Sequence, residues 1–168
     1  MADRLIRSRA RRLGKELARS RSTLAVAESC TGGGFSAAIT DIPGSSAYFL
    51  GGVVAYSNAS KTRDLGVAQA SIESGGAVSE AVALAMAKGA RRRFGARIGV
   101  GITGIAGPGG GTTDKPVGTV CLGISAGKVR RSHRRRLKGD RETLRRKAIA
   151  WALDELLAVL TELRKQEG

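Results

Sequence analysis

The chain has 168 residues, 42% of them hydrophobic, with 24 glycines spread along it, which suits one globular domain with a real core over residues 1–168. Its formal charge of +15 favours anionic partners, without distinguishing nucleic acid from a phosphorylated metabolite or a merely solvated surface. No run of about 18 apolar residues occurs and Asp3-Arg4-Leu5-Ile6-Arg7 lacks the apolar centre of a secretory signal, so a cytoplasmic protein without membrane contact is expected.

Leu5, Ile6, Ala10, Leu13 and Leu17 fall near helical spacing between Asp3 and Ala18, with arginines on the other side, which predicts a surface helix with a solvated basic face. Leu24 to Ala27 is an apolar, β-compatible run. It delivers Glu28, Ser29, Cys30 and Thr31 to the triplet Gly32-Gly-Gly34, after which Phe35, Ala37, Ala38 and Ile39 predict a short helix. Ser29 therefore sits where a strand passes into a helix. Backbone N–H groups at a helix start have no intrahelical partner and can hold an anion or a developing oxyanion, so a hydroxyl beside them is a candidate nucleophile. The plainer alternative is that Ser29 or Thr31 caps the helix. Cys30 is a rival nucleophile, although a buried, inert thiol is the commoner state of cysteine, and Cys30 with Cys121 fits a reducing compartment better than a disulfide framework.

Tyr48 to Tyr56 reads as a second, buried strand ending in the polar turn Ser57-Asn-Ala-Ser60, which runs through Lys61 into a short helix. Ser60-Lys61-Thr62 looks like the end of a phosphate loop. Ala55 and Ser60 stand where that pattern needs glycine, which excludes triphosphate binding of that kind. In a parallel sheet Lys61 and Ser29 would both lie at carboxyl ends of strands, the edge where open α/β sheets collect ligands. A solubilising surface lysine is the alternative. Ser71 to Val78 reads as a loop and Ser79 as the N-cap of a helix with Val82, Met86 and Ala90 inward, Arg91 to Arg93 in its last turn and Gly95 closing it.

Arg97 to Thr103 predicts a third strand, leading into Gly104-Ile-Ala-Gly-Pro-Gly-Gly110. Gly99, Gly101 and Gly104 satisfy G-x-G-x-x-G, but Pro108 and further glycines continue a loop where the dinucleotide fingerprint requires a helix. Such a loop allows close backbone approach to a ligand, or simply joins two strands. Val117 to Ser125 and Val129 to Leu137 predict a hairpin through Ala126-Gly127-Lys128. Its second strand is almost wholly basic, which suits an edge protected by charge, a reading preferred to nucleic-acid binding, and the absence of interleaved aromatics argues against single-strand binding. Asp140 caps the last helix, whose buried stripe is Leu144, Ala148, Trp151, Ala152, Leu156, Val159, Leu160 and Leu163. Arg141, Arg145 and Arg146 oppose the macrodipole at its start. Binding a phosphate would account for them, as would ion pairs to Asp64 or Glu73.

His133, the only histidine, lies among arginines that oppose its charged form, so a Ser-His-Asp triad and a zinc site are both disfavoured. A nucleophilic Ser29 then needs another base, and a lysine serves when burial lowers its pKa. Lys61, with Tyr56 at the end of its strand, is preferred to Lys115.

Ala27-Glu-Ser-Cys-Thr-Gly-Gly33, Tyr56-Ser-Asn with Lys61, Gly75-Gly-Ala-Val-Ser79, Gly104-Ile-Ala-Gly-Pro-Gly-Gly110, Lys115-Pro-Val-Gly-Thr119 and Gly139-Asp-Arg141 together resemble the carboxy-terminal domain of the competence-damage-inducible CinA family, whose stand-alone members are nicotinamide-nucleotide amidases. The resemblance covers nearly the whole chain, and the amino-terminal domain of longer family members is not expected. It implies an α/β fold, a three-layer α/β/α sandwich with a mixed, mostly parallel sheet. It further implies hydrolysis of nicotinamide mononucleotide to nicotinate mononucleotide and ammonia in pyridine nucleotide salvage, with no metal or cofactor. Ser29 would be the nucleophile and Lys61 the base, with Tyr56 assisting proton transfer. Backbone N–H groups of Thr31, Gly32 and Gly33 would hold the oxyanion, Thr103, Gly104 and Gly107 would line the pocket, and Arg141 and Arg145 would stand near the 5′-phosphate. The small-molecule substrate is the expected partner, with a homo-oligomer and without nucleic acid. The competing readings are a non-catalytic CinA-like protein that binds a nucleotide or a partner in competence or DNA damage, and a nucleic-acid module built on the arginine-rich strand.

Overall fold

The computed structural model describes residues 2–167. α1 (Ala2–Arg19) precedes β1 (Leu24–Glu28), α2 (Gly34–Thr40), a 3-10 turn (Ser45–Ala47) and β2 (Phe49–Val54). α3 (Asn58–Leu65), α4 (Gln69–Gly75) and α5 (Glu80–Phe94) follow in succession, then β3 (Ile98–Gly104), β4 (Thr119–Ala126), β5 (Val129–Arg136) and α6 (Arg141–Glu167). The strands form one sheet of order β2-β1-β3-β4-β5, in which β1 pairs parallel with β2 and β3 while β4 runs antiparallel to both its neighbours. β4 alone therefore opposes the direction of the others, giving the mixed, mostly parallel sheet that the resemblance implies.

Helices cover both faces. Leu13 and Leu17 of α1, Phe35 and Ile39 of α2, and Leu156 and Val159 of α6 bury one face, while Leu65 of α3, Ile72 of α4 and Val82, Met86 and Ala90 of α5 bury the other. Each such large aliphatic or aromatic side chain stabilises the fold by about 1.5–3 kcal/mol. Covered on both sides, β1 is buried at every position, which is why its apolar residues run continuously instead of alternating. The glycines of β3 set the distance to α5: a Cβ at Gly99 would lie 2.0 Å from the Ala87 carbonyl oxygen, and one at Gly101 2.2 Å from that of Ala83. The first two glycines of the G-x-G-x-x-G spacing thus serve helix-on-sheet packing. Side-chain caps fix the helix starts. Ser79 accepts from the Val82 N–H at 3.2 Å, Asp140 accepts from the Thr143 N–H at 2.8 Å, and Ser57 and Ser60 form a reciprocal box at α3.

Two local expectations are corrected. The stretch 48–56 is not a buried strand: β2 is an edge, with Leu50 42% and Val54 52% exposed, while Tyr48 leaves the strand and is buried against α1 at Gly14. An apolar sequence does not reveal whether its strand has a neighbour on each side. Nor is 71–78 wholly loop, because Ile72 buries its side chain beside α3 and α5 and holds Gln69–Gly75 as α4. No described helix is long and apolar enough to cross a membrane.

Candidate active site

Ser29 stands at the carboxyl end of β1, where its N–H donates to the Ile102 carbonyl at 2.9 Å and prolongs the β1–β3 ladder. The chain then turns through Gly32 and Gly33, whose φ angles of 58° and 90° favour residues without a Cβ. Neither Ser29 nor Thr31 caps α2. Its N-cap is Gly33, and the orphan N–H groups of Phe35 and Ser36 donate to the Glu28 carboxylate at 3.0 and 2.8 Å, with the Ser36 hydroxyl adding a bond at 2.7 Å. The helix start is thus filled by the protein's own anion, which corrects the expectation of an open anion site there. Glu28 is 1% exposed and went unassigned in the sequence; the available signal was a carboxylate closing an otherwise apolar strand.

Lys61 extends from α3 beneath the strand ends. Its Nζ lies 3.1 Å from Ser29 Oγ, 3.0 Å from the Ala55 carbonyl oxygen and 3.4 Å from that of Tyr56. The residue is 2% exposed, and burial pulls its ammonium below the usual lysine value. No carboxylate of the described residues pairs with it. Burial and the lack of a carboxylate partner both disfavour the charged form of the amine that faces the serine hydroxyl. Burial, with Glu28 second, pushes the neighbouring Cys30 thiol up to about 12, which leaves it protonated at neutral pH and a poor nucleophile. Lys115 is engaged elsewhere, on the Gly75 carbonyl, and His133 sits on β5 with its Nε2 3.5 Å from Glu155.

Ser29 and Cys30 open into a cleft of about 290 Å³. Thr103, Gly104 and Gly107 line one side as expected, Ala77 and Val78 line another, and Tyr56 and Arg141 stand at its mouth. The walls are tied together: the Thr103 hydroxyl donates to the Ala77 carbonyl at 3.0 Å, and Arg141 donates to the Gly107 carbonyl at 2.7 Å and the Tyr56 hydroxyl at 2.8 Å. At Gly107, φ is 77° and a Cβ would lie 2.6 Å from Val117 Cγ1, so only glycine presents that carbonyl to Arg141 without strain. Tyr56 meets Lys61 through its backbone carbonyl and Arg141 through its phenol.

Thr31, Gly32, Gly33 and Arg145 do not line this cleft. Thr31 is fully buried with its hydroxyl unpartnered, and its carbonyl accepts from Arg145 at 2.9 Å. Arg145 instead lines an adjoining cavity of about 530 Å³ with Arg141 and Arg146. The expected alternative partners, Asp64 and Glu73, take no part: Asp64 pairs with Arg63 at 2.8 Å, Glu73 accepts from Gln69, and Arg146 reaches Glu142 at 2.7 Å. Arg141 thus clamps the cleft's own loop at Gly107, while Arg145 holds the glycine turn at Thr31. Ala77 and Val78 were missed because the adjacent Gly75-Gly76 read only as a turn.

Residues 6–160 match the family described as the CinA C-terminal domain. The chain belongs to that family. Its CinA domain is 51% identical over 153 residues to a nicotinamide-nucleotide amidohydrolase, PncC, of Pseudomonas putida, covering 91% of this chain and 96% of that protein. It is 56% identical over 134 residues to a CinA-like protein of Gemmatimonas aurantiaca, covering 80% of this chain but only 31% of that longer protein. Among solved structures, the competence/damage-inducible protein CihA from Agrobacterium tumefaciens superposes with a TM-score of 0.90 at 40% identity, over 94% of this chain and 96% of that one. A CinA superfamily protein from Klebsiella pneumoniae superposes equally well, with a TM-score of 0.90 at 32% identity over 94% and 98% of the two chains.

Proposed function

We propose that the chain is an amidohydrolase that cleaves the carboxamide of nicotinamide mononucleotide, releasing ammonia and nicotinate mononucleotide, and so serves pyridine nucleotide salvage. The observation that carries this reading is the buried Ser29–Lys61 pair, 3.1 Å apart, whose serine lines the cleft. The likeness to the Pseudomonas putida amidohydrolase over almost the full length of both chains supports the substrate.

A neutral lysine amine has two N–H donors and one lone pair. The carbonyls of Ala55 and Tyr56 take the donors, which leaves the lone pair to accept the Ser29 O–H. As Ser29 Oγ attacks the carboxamide carbon, its proton passes to Lys61 Nζ, and the carbonyl oxygen gains the negative charge of a tetrahedral intermediate. That charge would fall to a backbone N–H of the turn after Ser29, where Cys30 lines the cleft and the Gly32 N–H is already spent on the Ser29 carbonyl at 3.0 Å. Collapse returns the proton from Lys61 to the departing nitrogen, ammonia leaves, and a water activated by Lys61 cleaves the acyl ester. Arg141 uses two of its five N–H groups on Gly107 and Tyr56, and the rest, with Arg145 beside it, are assigned to the 5′-phosphate.

Ammonia release from nicotinamide mononucleotide, set beside free nicotinamide, tests the reading. Turnover of the nucleotide with much weaker turnover of nicotinamide, and a raised KM in Arg141→Ala, is expected. Absence of release from folded protein would instead favour the non-catalytic, nucleotide-binding alternative.

A further inference from the structure

The proposed hydrolysis calls on only Arg141 and Arg145 of a chain whose formal charge is +15, and β5 carries a large part of the rest. The strand divides its own arginine run between two faces. Arg131 and Arg135 turn to α6 and meet carboxylates there, Arg131 on Glu162 and Arg135 on Glu155 at 3.2 Å while stacking over Trp151. Arg130, Arg134 and Arg136 take the opposite, α5-facing side by strand alternation. No carboxylate of the described residues lies within ion-pair distance of these three; Arg130 donates to the carbonyls of Gly127 and Val129 at 2.7 and 2.8 Å, and Arg134 to that of Asp114. A carbonyl orients a guanidinium without neutralising it.

Between Arg130 and the last turns of α5 lies a cavity of about 330 Å³ lined by Lys88, Arg91, Arg92 and Arg130, with Ser125 and no carboxylate. Arg91, 3.5 Å from Ser125 Oγ, also lines a second cavity of about 560 Å³ together with Arg19, Arg97 and Arg164. The one carboxylate there, Glu16, is shared by Arg19 at 2.5 Å and Arg164 at 3.7 Å. Arg91 is common to both cavities, which flank it around the β4–β5 hairpin and the start of β3, at the end of the sheet opposite Ser29, and together outline one basic groove. Cations in the last turns of α1, α5 and α6 also complement helix dipoles, but Arg97 and Arg130 lie on no helix.

We propose that this groove binds the phosphate backbone of duplex nucleic acid without reading its sequence. Guanidinium forks match phosphate oxygens in pairs. No aromatic side chain lines either cavity, so unpaired bases have no stacking platform and a duplex is the better fit. Binding at this end leaves the cleft open.

The test is anisotropy of a short labelled duplex titrated with the full chain at several salt concentrations. With four cations on phosphates, affinity should fall about a hundredfold between roughly 50 and 200 mM salt. Lys88→Glu with Arg130→Glu should weaken binding at least about tenfold and flatten the salt slope, while ammonia release and the melting temperature stay unchanged. Arg4→Glu with Arg11→Glu makes the same change of charge on the exposed face of α1 and should leave affinity within about twofold. Four results would overturn the proposal: no binding at the lowest salt, equal loss in both double variants, tighter binding of the single strand than of the duplex, or displacement of the duplex by equimolar inorganic triphosphate, which would reassign the groove to a small phosphorylated ligand.

Discussion

At the scale of single residues, the candidate chemistry depends on Lys61 being neutral where a lysine is ordinarily charged. Burial lowers its pKa from 10.5, so between the lowered value and 10.5 the unfolded chain binds more protons than the folded one, and stability rises with pH across that window. Lys61→Met removes both the base and that slope. Turnover should fall by about 10²–10⁴-fold, and melting curves should shift in the wild type's favour as pH rises toward 10.5. In the wild type, kcat/KM should climb as pH passes upward through the lowered Lys61 value, because only the free amine accepts the Ser29 proton. Cys30→Ala tests the rival nucleophile: a thiol held protonated by a pKa near 12 is a bystander, so activity should stay within about an order of magnitude, and its abolition would contradict the assignment. Ser29 and Lys61 were each legible as strand-end residues. Their meeting was expected from a parallel sheet and from the family resemblance, and the parallel β1–β2 pairing brings them together across 32 residues. Glu28 was illegible, because its partners Phe35 and Ser36 face it only after the glycine turn is folded.

Elements carry the next level of constraint. β3 was read correctly as a strand, but its glycines gave no sign of their use until α5 was seen lying against them. Gly101→Ala would set a Cβ 2.2 Å from the Ala83 carbonyl oxygen and 2.7 Å from the Ala87 nitrogen. The helix must move away, and a loss of about 1–3 kcal/mol in chemical denaturation is expected; an unchanged midpoint would show that the contact yields freely. Helix starts at Ser79 and Asp140 were legible because caps are local in sequence. The edge position of β2 was not, because it follows from the order of the whole sheet. The short α4 was hidden for the same kind of reason: Gly75, Ser71 and Ser74 favour a turn locally, and only the burial of Ile72 against neighbouring helices holds the turn as a helix.

Across the whole molecule, the topology brings chemistry from distant parts of the chain to one end of the sheet. Ser29 comes from the end of β1, Lys61 from the helix after β2, Thr103 from the end of β3 and Arg141 from the start of α6, and the hydrogen bonds of Thr103 and Arg141 close the cleft around them. The opposite end collects cations with Glu16 as the one carboxylate lining its two cavities, which separates the surface proposed for polyanions from the site proposed for hydrolysis. The measurement that bears most directly on the central claim is ammonia release from nicotinamide mononucleotide by the wild type and by Ser29→Ala at the same protein concentration. The account predicts steady release by the wild type and a loss of at least about 10³-fold in the variant, with an unchanged melting temperature. Full activity in Ser29→Ala would contradict it, and would transfer the attack to a water molecule or to Cys30.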